Sequence, residues 1–129
     1  MGNYGEAAIR SIELITENSH YNPVSAWNQA TTEIFGKGTS SQKKGCPKNA
    51  FIGLCEAGLV KGVTFDRNLE SKNKSYAINA IHLLKKDPTL VNDMNELWNK
   101  VLNGESKVHN SQMDVVISLW KNNLIEGFC

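Results

Sequence analysis

The chain is poor in cysteine, histidine and proline, with three of each in 129 residues. Cys46, Cys55 and Cys129 leave one thiol over in any disulfide scheme, which argues against a secreted, disulfide-built scaffold. Their spacing matches no zinc motif, and His20, His82 and His109 stand too far apart to form a short-spaced ligand pair, so neither metal nor cofactor is expected. No apolar run approaches the roughly 20 residues of a membrane span. The opening Met-Gly-Asn-Tyr-Gly-Glu lacks the basic start and apolar stretch of a signal peptide, so the expected compartment is the cytoplasm. No proline-rich linker or low-complexity stretch divides the chain, which predicts a single domain over 1–129.

What is present is helical periodicity. Asn3 and Glu6 have capping-box spacing ahead of a face made by Tyr4, Ala8, Ile12 and Ile15, and Asn18-Ser19-His20 ends that helix. Asn22-Pro23 starts a second, with Trp27, Ala30, Ile34 and Phe35 inward and Gly36 and Gly38 as the stop. Pro47 opens a third, carrying Ala50, Phe51, Leu54 and Cys55, and Gly58 closes it. The stretch 59–65 reads as a short β-hairpin or extended piece, and 66–75 as polar and exposed.

Tyr76, Ala77, Ala80, Ile81 and Leu84 make a fourth stripe. Asp87-Pro88 then ends one helix and starts the next, whose face is Leu90, Met94, Leu97, Trp98 and Val101. Ser111, with Asp114 at capping-box offset, opens a last helix with Met113, Val116, Ile117, Trp120 and Leu124 inward. The expected fold is all-α, with five to six helices. The tryptophans fall on the stripes and belong to the core. His82 reads as a hydrogen-bonded boundary residue and His109 as an exposed one.

Net charge is only +1, but it is segregated. From Lys37 to Lys74 eight cations meet three acids, leaving that segment at +5 and the remainder at −4. Such separation creates a positive face on a nearly neutral molecule. Its densest part is Gly36 to Asn49, with four lysines and no acid, feeding the third helix. Backbone N–H groups and the helix dipole both favour an anion there. The Walker phosphate loop does not fit: Gly38 stands where Ser or Thr is required, and the upstream glycine is missing.

Nucleic acid fits better. Lys43, Lys44 and Lys48, with Lys61 further along, supply phosphate contacts, and Asn49 lies closest to base edges. Leu54 to Val63 resembles the end of a recognition helix running into the first wing of winged-helix regulators. Two departures count against that resemblance. Eleven residues separate Phe35 from Pro47, against roughly 3–4 in a helix-turn-helix connection, and no second wing strand follows Phe65. Cys46 is a candidate reactive thiol, placed before a helix beside three lysines that stabilise a thiolate. It has no histidine nearby in sequence to act as its base, so catalysis is the less favoured class.

Several stretches together resemble a small bacterial family with no assigned activity. They are Tyr4-Gly5-Glu6-Ala7-Ala8, Gly38 to Lys48 with its Leu54 to Val63 continuation, Asn95-Glu96-Leu97-Trp98, and His109 to Val116. The resemblance implies a stand-alone bacterial cytoplasmic protein and brings no ligand or catalytic residue. The residues themselves lead to a nucleic-acid-binding or regulatory module that meets DNA or RNA. The rival reading is a protein that works through a protein partner or its own dimer, without catalysis.

Overall fold

A computed structural model describes residues 2–127. Cys129 lies outside the described residues. Six α-helices form: α1 (Asn3–Glu17), α2 (Pro23–Phe35), α3 (Gly45–Glu56), α4 (Lys72–Lys86), α5 (Met94–Leu102) and α6 (Gln112–Lys121). A single 3₁₀ turn, Pro88–Asn92, precedes α5. The expected continuous helix from Pro88 to Val101 is therefore split. Asp93 accepts the N–H of Glu96 at 3.1 Å and starts α5 afresh.

The stripes read from the sequence meet in one core. Trp27, Phe51, Leu54, Ile81, Leu84, Leu97, Met113 and Leu119 are fully enclosed there. Of the tryptophans, Trp27 and Trp98 are buried, while Trp120 is only half-buried at its margin. Helix α1 lies against α2 and α6, and α3 lies against α4. Two glycines set close approaches. A Cβ on Gly5 would sit 1.9 Å from Ser118 Oγ of α6, and one on Gly53 would sit 2.5 Å from the side chain of Lys74 of α4.

The start of α2 follows its sequence signal, and α4 has a side-chain cap of its own. At α2, Asn22 and Ser25 form a reciprocal capping box with Pro23 behind it. At α4, Ser71 Oγ accepts the N–H of Lys74. The first and last helices depart from expectation. Asn3 lies inside α1, whose N-cap is Gly2, so no Asn3–Glu6 box forms. Ser111 is left-handed, with φ +70°, and makes no side-chain cap. Asp114 serves α1 instead: it accepts the N–H of Gly2 at 3.0 Å and of Gly5 at 2.8 Å. His109 Nε2 accepts the N–H of Met113 at 3.1 Å and caps α6.

No strand or hairpin forms among the described residues. The stretch 59–65 is not continuously extended: it makes one antiparallel bridge, Val60 to Ile125, then turns at Lys61-Gly62, where Gly62 has φ +73° and the Val63 N–H donates to the Val60 carbonyl at 3.2 Å. Lys61 N–H donates to the Leu124 carbonyl at 2.9 Å, and Glu126 N–H donates to the Leu59 carbonyl at 2.8 Å. The chain after α6 thus occupies the edge a second wing strand would need.

Nor is 66–75 wholly exposed. Glu56 at the end of α3 draws that segment inward. Its carboxylate binds Arg67 Nε at 2.6 Å and Lys74 Nζ at 3.3 Å. Lys74 is buried and also donates to Asn68 Oδ1 and the Leu69 carbonyl, so the enclosed ammonium keeps polar partners on every side.

Candidate anion-binding site

The lysine-rich connection between α2 and α3 runs over 36–44, because α3 begins at Gly45, two residues before the proline that marked its expected start. Gly36 ends α2 at φ +91°, a conformation that glycine adopts without strain. The chain beyond it is fastened to itself. Thr39 Oγ1 donates to the Gly36 carbonyl and accepts the N–H of Gln42. The Gln42 side chain accepts the N–H of Gly38 at 3.3 Å and donates to Thr31 Oγ1 at 3.1 Å. Tyr4 of α1 adds an outer tie, its hydroxyl donating to the Ser41 carbonyl at 2.8 Å.

This pinning sorts the lysines. Lys37, Lys43 and Lys48 line one shallow groove of about 390 Å³ with Gln42 and with Asn28 and Thr32 of α2. Lys44 leaves that group: its ammonium lies 5.3 Å from the centre of the Tyr4 ring, a cation–π contact. Tyr4 in turn packs on Phe35, with ring centres 4.9 Å apart. Burial pushes the Tyr4 hydroxyl up in pKa, keeping it a hydrogen-bond donor. Among the described residues no carboxylate forms an ion pair with Lys37, Lys43, Lys44 or Lys48.

Lys44 is the N-cap of α3 and gives no side-chain acceptor, and the first turn holds no acid. The positive end of the helix dipole is therefore left uncompensated beside the lysines. Asn49 is exposed on this turn and lies outside the groove lining. Lys61 is placed elsewhere. It belongs to the clasp with the chain end, where its ammonium meets Asn123 Oδ1 at 3.3 Å.

Cys46 is half-buried in the first turn of α3, and no histidine hydrogen-bonds to it. His20 and His82 are exposed, so His82 is not the bonded boundary residue its position suggested. His109 is half-buried rather than exposed and is engaged with Met113. Cys55 is buried in the core, and burial pushes its thiol up. No group of three His, Cys, Asp or Glu among the described residues is placed to hold a metal ion. No helix there is long and apolar enough to cross a membrane.

Residues 1–126 match a family of unknown function, DUF6979. The chain belongs to that family. The resemblance carried by the Gly38 to Lys48 and His109 to Val116 stretches is thereby borne out, and DUF6979 brings no activity with it. No curated protein and no solved structure matches the chain.

Sequence reasoning had grouped Lys43, Lys44 and Lys48. It missed that Lys37 takes the place of Lys44 in the groove, and that Gln42 holds the loop. The signal for the first was slight: Tyr4 has to be known as a neighbour before Lys44 can be assigned to it. Gln42 stood beside the lysines as a polar neighbour, with nothing to show that its amide reaches Thr31.

Proposed function

We propose that the protein is a nucleic-acid-binding or regulatory module that grips backbone phosphates of DNA or RNA through Lys37, Lys43 and Lys48. The observation that carries this is the groove itself, which three lysines without acidic partners line together with the side-chain amides of Asn28 and Gln42. Phosphate contacts need that combination of positive charge and hydrogen-bond donors. The uncapped start of α3 adds to the same field. Asn49, exposed one turn into α3, is the side chain that would meet base edges. Binding of this kind is governed by charge and weakly by sequence, and we place it in the cytoplasm.

The test is fluorescence anisotropy with labelled duplex DNA, single-stranded DNA and RNA across a salt series. Three phosphate contacts on B-DNA give a slope of log K against log salt of about −2.7. Absence of any association at low salt with all three probes would sink the reading. The rival, self-association or a protein partner, has less support: Leu69 and Val108 are the large hydrophobics exposed among the described residues. A dimer in sedimentation that does not bind the probes would favour that rival.

A further inference from the structure

The start of α6 is held by a group that can lose its function on protonation. His109 Nε2 accepts the Met113 N–H at 3.1 Å, so the neutral ring carries its proton on Nδ1. A second protonation, at Nε2, turns that acceptor into a donor, and the Met113 N–H then has nothing to bond.

The next residue along is Asp114, whose two oxygens hold the N–H groups of Gly2 and Gly5. One turn of α6 therefore receives its own cap from an imidazole and supplies the cap of α1. We propose that His109 is a pH-operated latch. Its neutral ring fastens the first turn of α6 and, through Asp114, the first turn of α1; protonation releases both.

The surroundings of the ring favour this behaviour. From α5, Trp98 covers it, with ring centres 5.0 Å apart, and Tyr76 of α4 packs edge-on against Trp98 at 5.2 Å. The charged groups facing it are Asp114 of α6 and Lys44, the N-cap of α3. Burial disfavours the imidazolium, Asp114 favours it, and Lys44 disfavours it; the balance lowers its pKa.

An imidazolium that does form attracts the Asp114 carboxylate in competition with Gly2 and Gly5. It also repels Lys44, which lies over Tyr4 of α1. Both forces act on the junction of α1, α6 and the lysine loop. The folded imidazole binds its proton less readily than the unfolded one. The stabilising contribution is therefore complete above about pH 6.5 and declines as pH falls from there through the lowered folded value.

The experiment is a pH titration of the whole protein by NMR between pH 8 and 5, following the His109 ring and the amides of Met113 and Gly5. Hydrogen exchange, corrected for the intrinsic rate, is measured alongside. The expected result is one shared midpoint below 6.5 for ring and amides, with roughly tenfold loss of amide protection across it. His109→Gln offers a non-titrating acceptor to Met113 and should remove the pH dependence while keeping the protection.

Amides that stay unmoved while His109 titrates would overturn the latch. So would a pH dependence of those amides that persists in His109→Gln. Should His109→Gln fail to fold, the titration of the unsubstituted protein decides alone.

Discussion

Asp114 in α6 accepts the backbone N–H of Gly5 in α1 at 2.8 Å, although 109 residues separate them in the chain. Its other oxygen accepts the N–H of Gly2 at 3.0 Å. A capping carboxylate ordinarily comes from the helix's own N-cap. Here it comes from the opposite end of the sequence, so formation of the first turn of α1 is tied to the docking of α6. Local and long-range order are joined at one side chain.

Asp114→Ala leaves two N–H groups without acceptors, one of them part-buried, and should lower stability by about 2 kcal/mol. Asp114→Asn keeps one acceptor oxygen and should cost about half as much. Urea unfolding followed by circular dichroism measures both. Equal stability of Asp114→Ala and the unsubstituted protein would mean that water serves these amides as well as the carboxylate does.

The same contact explains the smallness of residue 5. A Cβ there meets Ser118 Oγ at 1.9 Å and Ser118 Cβ at 2.8 Å, and both helix backbones would have to part. Gly5→Ala should cost about 2–3 kcal/mol despite the better helix propensity of alanine. Ser118→Gly removes the two nearest obstructing atoms and leaves Asp114 Oδ1 at 2.9 Å. The double variant should be less destabilised than the sum of the two single changes, a coupling read from a four-member unfolding cycle.

The helical fold was legible because its signals are local. Tyr4, Ala8 and Ile12, or Ala77, Ala80 and Leu84, carry the 3.6-residue period of a buried face whatever they pack against. Asn22-Pro23 worked as a start because both halves of its capping box lie within four residues. The failures share a different cause. Asn3–Glu6 and Ser111–Asp114 have the same local spacing, yet Asp114 finds better-placed donors on α1 and His109 fills the vacancy on α6. Likewise, no periodicity reveals that Lys74 is buried, since its partner Glu56 lies on another helix. In the candidate site, the lysine-rich loop was visible as composition, while its division between a groove and Tyr4 depends on where α1 ends up.

The Glu56 cluster should show itself in acid. Burial pushes the Glu56 carboxyl up, but hydrogen bonds from Arg67, Lys74 and the Leu69 N–H outweigh burial and hold it below its ordinary pKa. A carboxylate favoured in the folded state contributes stability above the unfolded pKa of about 4.3 and loses it as pH falls through the lower folded value. Stability should therefore drop as pH falls below about 4.3, and Glu56→Ala should flatten that part of the profile. At pH 7 the same substitution should cost about 3 kcal/mol, the low end for a broken buried pair, because Asn68 and Leu69 still accept from Lys74. Denaturant midpoints across a pH series test both statements.

The sorting of the lysines gives the sharpest check on the nucleic-acid reading. Lys43 and Lys48 line the groove, and replacing either by Ala should weaken binding on every sequence and reduce the salt slope by about 0.9. Lys44 rests on the Tyr4 ring instead, so Lys44→Ala should leave the slope nearly unchanged and cost about 0.5–1 kcal/mol of stability through the lost cation–π contact. Tyr4→Phe separates the two effects further, because it keeps the ring for Lys44 and removes only the tie to Ser41. Anisotropy titrations of these variants over a salt series, with unfolding curves on the same samples, decide the matter. A slope that falls as far for Lys44→Ala as for Lys43→Ala would show that phosphate is met on the Tyr4 side of the loop, away from the groove.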